Sequence, residues 1–179
     1  PEGNYVGTSH GVMVEVLVDG QFGYSATTQL SQTGIQSAMD KAVELAKTAG
    51  KYSVVKFNQS VRPKNIGNYK SNAINSIKDI SIPEISHLLL SSEKYLKNSE
   101  RIICTTGFAM MVDSKHKYIC SNGTDIEQDF QLVSLDFSAT GQHEGVIQKR
   151  TDHGMLARSY QIGTEFITET DIENRCKKI

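Results

Sequence analysis

The stretch VMVEVLVDGQFGY, residues 12–24, decides the fold of the N-terminal part of the chain. Asp19-Gly20 lies between two segments of alternating apolar residues. This pair favours a type I′ turn, because such a turn needs φ above zero at both central residues. A two-residue loop also sets the register of the two strands. The predicted cross-strand pairs are Val18 with Gln21, Leu17 with Phe22, and Val16 with Gly23.

One face of this predicted hairpin has large side chains on the first strand and small ones on the second. Small partners opposite a row of valines leave room for a helix to pack closely on the sheet. We therefore expect a helix on this face. The residues of the face are Val12, Val14, Val16 and Val18, opposite Gly23, Ser25 and Thr27.

The next segment has the pattern of that helix. Thr33 and Gln36 have the spacing of a capping box, in which each side chain binds a backbone N–H of the first turn. Gly50 occupies the place of a glycine that ends a helix at the C′ position. The apolar residues at helical spacing are Ile35, Ala38, Met39, Ala42, Val43, Ala46 and Ala49.

This order of strand, Asp-Gly turn, strand and alanine-rich helix resembles the N-terminal domain of the TldD/PmbA family. The matching motifs are Gly-Val-Met-Val at 11–14, Val-Asp-Gly at 18–20 and GYSATTQL at 23–30. Ala26 lies one place later than in the usual family pattern. The resemblance covers residues 10–50 and, at weaker identity, 84–165. It implies an N-terminal α+β domain over 1–168, followed at 169–179 by the start of a connection to an absent C-terminal domain.

The family resemblance also implies a zinc metallopeptidase, a class earlier described as modulators of DNA gyrase. The family's zinc motif is H-E-x-x-x-H on a helix, where the glutamate acts as general base on a zinc-bound water. Here His143-Glu144 is the one His-Glu pair, with no histidine at 147 or 148, and His153 follows ten residues later. We therefore predict no catalytic residue, no metal ligand and no cofactor in this chain, with zinc expected in the absent C-terminal domain.

By the same resemblance, the expected partners are a family member, in a homodimer or heterodimer, and an unfolded peptide substrate. An extended peptide can pair with a sheet edge through backbone hydrogen bonds, which tolerate any sequence. The substrate-binding residues and the zinc-bearing or zinc-free type of the parent subunit stay open. Two alternatives remain: a stand-alone binding module linked to DNA gyrase or nucleic acid, and an independent hydrolase that uses His143, Glu144 and His153.

Composition limits the classes of partner. The chain has 179 residues and a formal net charge of −1, which disfavours nucleic acid and anionic lipid as partners. No apolar run approaches the roughly 20 residues that cross a bilayer. Cys104, Cys120 and Cys176 are odd in number and have no C-x-x-C spacing, so we expect reduced thiols and a cytoplasmic location. No signal-peptide pattern opens the sequence, and Pro1 is compatible with a start inside a longer protein.

Residues 51–82 interrupt the pattern with a basic segment. Six cations, Lys51, Lys56, Arg62, Lys64, Lys70 and Lys78, precede the first acidic residue, Asp79. A phosphate-contacting strip is one interpretation, but a long solvated connection with a short strand near 52–57 is favoured, since few aromatic residues are interspersed.

The second half of the chain predicts a helix and then a sheet. Pro83 and Glu84 open a helix that extends to about Asn98. Short turns between the strands indicate an α+β fold with a largely antiparallel sheet and two or three helices packed on one face. A turn is expected at 114–117 and another at Asn122-Gly123, and residues 170–176 begin a further helix. The predicted strands are 101–106, 108–112, 118–121, 133–139, 146–150 and 157–162, of which 133–139 has the alternation of a half-buried strand.

Isolated polar residues give weaker signals. His10 and His116 are interpreted as solvated histidines, and a triad of Asp152 and His153 with a serine has no geometric support in the sequence. Asp125, Glu127 and Asp129 alternate as in a calcium loop but lack its central glycine and terminal glutamate, so a charged surface is the better interpretation.

Overall fold

The computed structural model describes residues 3–179, which form two compact units: one that ends at Lys64 and one that extends from Asn65 to Ile179. The first unit contains β1 (Val12–Val18), β2 (Gln21–Thr27) and α1 (Gln32–Gly50). The second contains β3 (Ile66–Lys70), α2 (Ile82–Ser91), α3 (Glu93–Leu96), β4 (Ile102–Ile119), β5 (Asp125–His143), β6 (Val146–Thr151) and α4 (Glu169–Cys176).

The predicted hairpin is confirmed residue by residue. β1 and β2 pair antiparallel with Val18 opposite Gln21 and Val16 opposite Gly23. The turn has φ of 51° at Asp19 and 85° at Gly20, as the Asp-Gly pair requires.

Helix α1 packs on the hairpin through its smallest side chains. Gly34, Ala38, Ala42 and Ala46 form its buried row, four residues apart. A Cβ at Gly23 would lie 2.0 Å from the carbonyl oxygen of Ala42, so the helix backbone almost touches the strand. The predicted stripe was too wide, because Met39 is 42% exposed and lies outside this contact.

Both predicted ends of α1 were wrong by a few residues. The N-cap is Ser31, whose Oγ accepts a hydrogen bond from the backbone N–H of Gly34 at 3.1 Å. Thr33 is already inside the first turn. Gly50 is the last helical residue, and Lys51 follows in the right-handed helical region, so no left-handed glycine ends the helix.

The segment after α1 covers the other face of the hairpin without forming the predicted strand at 52–57. The rings of Phe57 and Phe22 lie 5.5 Å apart, and the Phe57 N–H donates to the Gly20 carbonyl at 2.9 Å. A short 3₁₀ turn, Gln59–Val61, follows. The segment is held by hydrogen bonds to the turn and to the Gln21 side chain, which donates to the Val55 carbonyl, and not by a ladder with a neighbouring strand. This is why a pattern of alternating residues over-predicts a strand here.

The sheet of the second unit is built on β5. β4 and β6 pair with β5 antiparallel, whereas β3 pairs with its first five residues in parallel. β3 was missed in the sequence. Its partner lies about sixty residues further along the chain, and its Gly67 and Asn68 are poor strand formers.

β4 is one continuous strand of 18 residues, so the predicted turn at 114–117 was wrong. Lys115 lies opposite Asp129 and Lys117 opposite Glu127. The polar residues from which a turn was predicted instead form cross-strand pairs of opposite charge, which stabilise a sheet. The Asn122-Gly123 turn is confirmed, with φ of 88° at Gly123, and it joins β4 to β5.

The core of the second unit lies on one face of β5. Val133, Leu135 and Phe137 pack there against Leu96 of the short helix α3 and Ile172 of α4. The predicted helix to Asn98 is divided, since α2 ends at Ser91 and α3 at Leu96. The predicted helix at 170–176 is confirmed as α4.

The opposite face of β5 is also covered, which corrects the half-buried strand predicted at 133–139. Ser134, Asp136 and Ser138 are all at most 7% exposed. The segment 152–160 covers them: the Ser134 hydroxyl donates to the Arg158 carbonyl at 2.7 Å. The predicted strand at 157–162 contributes just one bridge to this cover, between Tyr160 and Val133. The fold class itself, α+β with a largely antiparallel sheet, is confirmed.

Candidate functional site

An open trough lies on the second sheet. Its floor is β5, and its walls are β3 on one side and β4 on the other. Its volume is about 510 Å³. The residues along it are Asn68, Tyr69, Lys70, Lys115, His116, Lys117, Glu127, Gln128 and Asp129.

The trough contains charges of both signs. Lys117 Nζ lies 2.6 Å from Glu127 and 3.3 Å from Asp125, and Lys115 Nζ lies 3.9 Å from Asp129. Hydrogen bonds to Glu127 and Asp125 raise the pKa of Lys117. The alternating acids that resemble a calcium loop are therefore neutralised by lysines of the neighbouring strand, as the surface-charge interpretation expected.

The outer edge of β4 is unpaired within residues 3–179, because β4 is the terminal strand of its sheet. Alternate residues of an edge strand direct their N–H and C=O groups away from the sheet. This edge can therefore accept another extended strand. Its C-terminal half also exposes apolar side chains, with Tyr118 at 41% and Ile119 at 69%.

An aromatic cluster lies at the same end of the sheet and includes Tyr69 and His116, which also line the trough. The ring of Phe130 lies 5.3 Å from that of Tyr69 and 5.7 Å from that of His116. His116 was predicted in a turn; it lies instead within β4, where its ring nitrogen is 2.5 Å from the Ser114 hydroxyl. His10 is exposed, as predicted.

His143 and Glu144 occupy the exposed tip of the β5–β6 hairpin, where φ is 48° at Glu144 and 81° at Gly145. His143 Nε2 lies 3.7 Å from Glu144 Oε1. His153 lies beside Asp136, seven residues back along β5 from His143, which corresponds to roughly 23 Å of strand. The structure therefore does not bring together the three residues of the independent-hydrolase alternative.

A buried ionic cluster surrounds Asp152, whose side chain is 7% exposed. Its carboxylate accepts a hydrogen bond from Arg175 Nε at 2.6 Å and lies 3.0 Å from His153 Nδ1. Arg175 also donates from Nη2 to the Leu135 carbonyl at 2.7 Å, which ties α4 to β5. The Nη1 atom of Arg175 and the Nδ1 atom of His153 have no hydrogen-bond partner among the described residues.

Asp136 of β5 also binds the segment 152–160. Its Oδ1 accepts hydrogen bonds from the backbone N–H groups of His153 at 3.1 Å and Gly154 at 3.0 Å. On the far side, His153 Nε2 lies 2.7 Å from Arg158 Nη1. These contacts fix the segment 152–160 over β5, so the cluster has a structural explanation. Sequence reasoning missed it because its members come from three separate parts of the chain.

The described residues, 3–179, bring no three potential metal ligands of the His, Cys, Asp or Glu type together. Burial raises the pKa of the Cys176 thiol to about 11, and Cys104 is exposed on β4. None of the helices in the described part of the chain is long and apolar enough to cross a membrane.

Two cations of the basic segment have acidic partners. Arg62 donates to Glu15 through Nε at 2.9 Å and through Nη2 at 2.8 Å, and this hydrogen bond lowers the pKa of Glu15. Lys78 lies 2.5 Å from Asp113. Both pairs reduce the positive charge that this segment could offer to phosphate groups.

Comparison with known proteins gives matches in sequence and in fold. A family model described as PmbA/TldA metallopeptidase domain 1 matches residues 1–47. The structure is similar to a proposed modulator of DNA gyrase from Bacteroides thetaiotaomicron, with a TM-score of 0.62, 16% identity, and coverage of 80% of this chain and 33% of that one. A second protein of the same description, from Thermotoga maritima, gives a TM-score of 0.66, 14% identity, and coverage of 94% and 36%. No curated protein matches the chain.

This chain thus spans about one third of the length of both solved structures. The sequence match lies on the hairpin and α1, which carried the resemblance in the sequence. The match in fold extends over most of the chain. The resemblance to the N-terminal domain of the TldD/PmbA family that was predicted from the sequence is therefore confirmed: the family model matches residues 1–47, and the two solved structures share the fold.

Proposed function

We propose that this chain is the non-catalytic N-terminal part of a TldD/PmbA-type metallopeptidase. In that protein it helps to form a dimer and lines the channel through which an unfolded peptide reaches the catalytic centre. One observation carries the proposal: the fold matches up to 94% of this chain but about one third of its longer structural relatives. The longer protein would be cytoplasmic, in keeping with three cysteines that form no disulfide.

The zinc chemistry is assigned to residues beyond this sequence. Zinc would activate a water molecule for attack on the peptide bond. The motif that holds it in the family, H-E-x-x-x-H, does not occur in these 179 residues. The contribution of this chain is therefore to bind and guide the peptide.

The trough on the second sheet suits a channel wall. Its side chains alternate in charge and are paired with each other, so they offer no strong preference for one peptide sequence. It has no deep apolar pocket that would retain a particular side chain, and its charged residues Lys115 and Lys117 are 74% and 54% exposed. A surface of this kind lets extended peptides pass while it keeps them hydrated.

The assignment of zinc and cleavage to the longer protein is tested by comparing two proteins. One is the 179-residue chain, and the other is a longer protein that contains this chain together with the H-E-x-x-x-H motif. We expect the longer protein to bind one zinc ion per subunit by metal analysis and to cleave an unfolded casein-type substrate. The 179-residue chain should do neither. Stoichiometric zinc or cleavage by the 179-residue chain alone would contradict the proposal.

The channel role is tested in the longer protein by reversing charges in the trough. We expect Glu127→Lys combined with Asp129→Lys to raise KM for a basic unfolded peptide several-fold, because like charges now line the wall, with the zinc content unchanged. Asp40→Lys combined with Glu44→Lys on the exposed face of α1 provides the matched control. An unchanged KM in the trough variant would contradict the channel assignment.

A further inference from the structure

The free edge of β4 has a charge pattern that is complementary to itself. Asp113 and Lys115 flank Ser114 and, two residues apart, lie on the same face of the sheet. If two copies of β4 pair antiparallel with Ser114 opposite Ser114, then Asp113 of each copy lies opposite Lys115 of the other. This register creates two cross-strand pairs of opposite charge, which stabilise a sheet.

Neighbouring registers lose this complementarity. A shift by two residues in one direction places Asp113 opposite Asp113, and the opposite shift places Lys115 opposite Lys115. Like charges directly opposite each other destabilise a strand pair. A shift by a single residue would oppose side chains of different faces, which a continuous sheet does not allow.

The apolar residues of the edge agree with the same register. Tyr118 and Ile119 are 41% and 69% exposed. With Ser114 on the axis, Tyr118 lies opposite Met110 of the second copy, and Ile119 lies opposite Ala109. The exposed apolar side chains of one half of the strand therefore face apolar residues in the other half.

The ionic contacts within the chain leave this pairing available. The Lys115 side chain is 74% exposed, and its Nζ is 3.9 Å from Asp129, so it can reach across the edge. Asp113 already accepts Lys78 at 2.5 Å, and its second oxygen can accept a further cation.

We propose that β4 forms an antiparallel pair with β4 of a second copy of this chain, with Ser114 on the two-fold axis. Residues 109–119 of each copy would pair and make about ten N–H···O=C hydrogen bonds. The proposal rests on the proposed function in one respect: it names the strand and the register of the dimer proposed there. The trough of each copy borders β4, so the dimer would place two troughs on either side of one axis.

The register is tested by a site-specific disulfide. In a chain with Cys104→Ser and Cys120→Ser, Ser114→Cys places two thiols opposite each other on the axis, within reach of a disulfide across neighbouring strands. We expect mild oxidation to convert most of this variant into a covalent dimer on a non-reducing gel. Gln128→Cys, which lies on the same face of the central strand β5, should remain monomeric.

The charge pattern is tested by reversal, with the association state measured by sedimentation equilibrium. Asp113→Lys alone, or Lys115→Asp alone, should raise the dimer dissociation constant about tenfold or more, since each creates two like-charge pairs. The double variant Asp113→Lys/Lys115→Asp should restore the dissociation constant. Asp40→Lys/Lys41→Asp on α1 repeats the exchange away from the edge and should have no effect. Circular dichroism confirms that each variant is folded.

Either of two results would overturn the inference. The first is that the chain stays monomeric at about 100 μM. Lys115 and Lys117 would then prevent another strand from pairing with this edge. The other is a dimer that the single charge reversals leave unchanged, or that forms no disulfide at Ser114. Both results leave the peptidase and channel parts of the proposed function in place, because zinc binding, cleavage and KM of the longer protein are measured separately.

Discussion

Gly23 is the residue on which the packing of the first unit depends most directly. It is buried in β2, where a Cβ would lie 2.0 Å from the Ala42 carbonyl oxygen and 2.7 Å from the Ala46 backbone nitrogen. The atoms it would meet belong to the backbone of α1, so no side-chain rotation can relieve the contact. Only displacement of the helix would make room.

Gly23→Ala should therefore lower the free energy of unfolding of the first unit by about 3 kcal/mol, since overpacking typically costs 1–3 and backbone contacts are the least forgiving. Chemical denaturation followed by circular dichroism measures the change. The matched control is Gly50→Ala at the end of α1, where the nearest atom would be Gln21 Cγ at 3.8 Å. That substitution should be neutral or slightly stabilising, and equal effects for the two would show that the close approach is not what matters.

Glu165 has a comparable role in the second unit, through charge. Its carboxylate accepts hydrogen bonds from the backbone N–H groups of Ile74 at 3.3 Å, Asn75 at 3.1 Å and Gly163 at 3.0 Å. Desolvation raises the pKa of Glu165, but these N–H groups together outweigh it, so the pKa is lowered. A carboxyl group with a lowered folded pKa stabilises the fold above its unfolded pKa of about 4.3 and loses that contribution as the pH falls.

Glu165→Gln should accordingly cost about 1–3 kcal/mol of stability at pH 7. The difference from the parent should shrink as the pH falls below about 4, because the parent carboxylate then becomes protonated. Denaturation curves from pH 3 to pH 7 measure this dependence. Glu144→Gln at the exposed hairpin tip should change stability little at any of these pH values, and a pH-independent effect of Glu165→Gln would contradict the electrostatic explanation.

At the level of elements, helix α2 begins with a complete capping box. The Ser81 hydroxyl accepts from the Glu84 N–H at 3.3 Å, and the Glu84 carboxylate accepts from the Ser81 N–H at 2.7 Å. The hydrogen bonds of the Ser81 hydroxyl and backbone lower the pKa of Glu84. These contacts explain why the helix starts at Ile82, one residue before the proline from which it was predicted.

Ser81→Ala should destabilise the second unit by about 1 kcal/mol, since the Glu84 N–H loses its partner. Ser81→Asp keeps an acceptor at this position and should stay within a few tenths of a kcal/mol of the parent. Thermal unfolding ranks the three proteins, and a Ser81→Asp variant as unstable as Ser81→Ala would exclude the cap as the cause.

The elements that the sequence predicted well are those specified by neighbouring residues. The Asp19-Gly20 turn and the Asn122-Gly123 turn each follow from two adjacent residues. The errors arise where distant residues decide. β3 depends on β5, and the burial of Ser134 and Asp136 depends on the segment 152–160. The trough could not be predicted from the sequence either, because its three strands meet only in the folded sheet.

At the level of the whole molecule, the division into two compact units predicts that each has its own stability. The first unit is held by α1 against β1 and β2, and the second by α2, α3 and α4 against β5. A substitution that weakens one core should therefore promote opening of that unit and leave the other protected.

Native-state hydrogen exchange tests this with the two variants already described. Gly23→Ala should speed exchange of the amides of β1, β2 and α1, while residues 133–139 of β5 keep the rates of the parent. Glu165→Gln should do the reverse, because its carboxylate joins segments of the second unit alone. Since exchange from a locally opened unit reports the stability of that unit, the two patterns should be mirror images. If each variant accelerated exchange equally in both units, the chain would unfold as one cooperative body, and Gly23→Ala would also speed the exchange of the β5 amides.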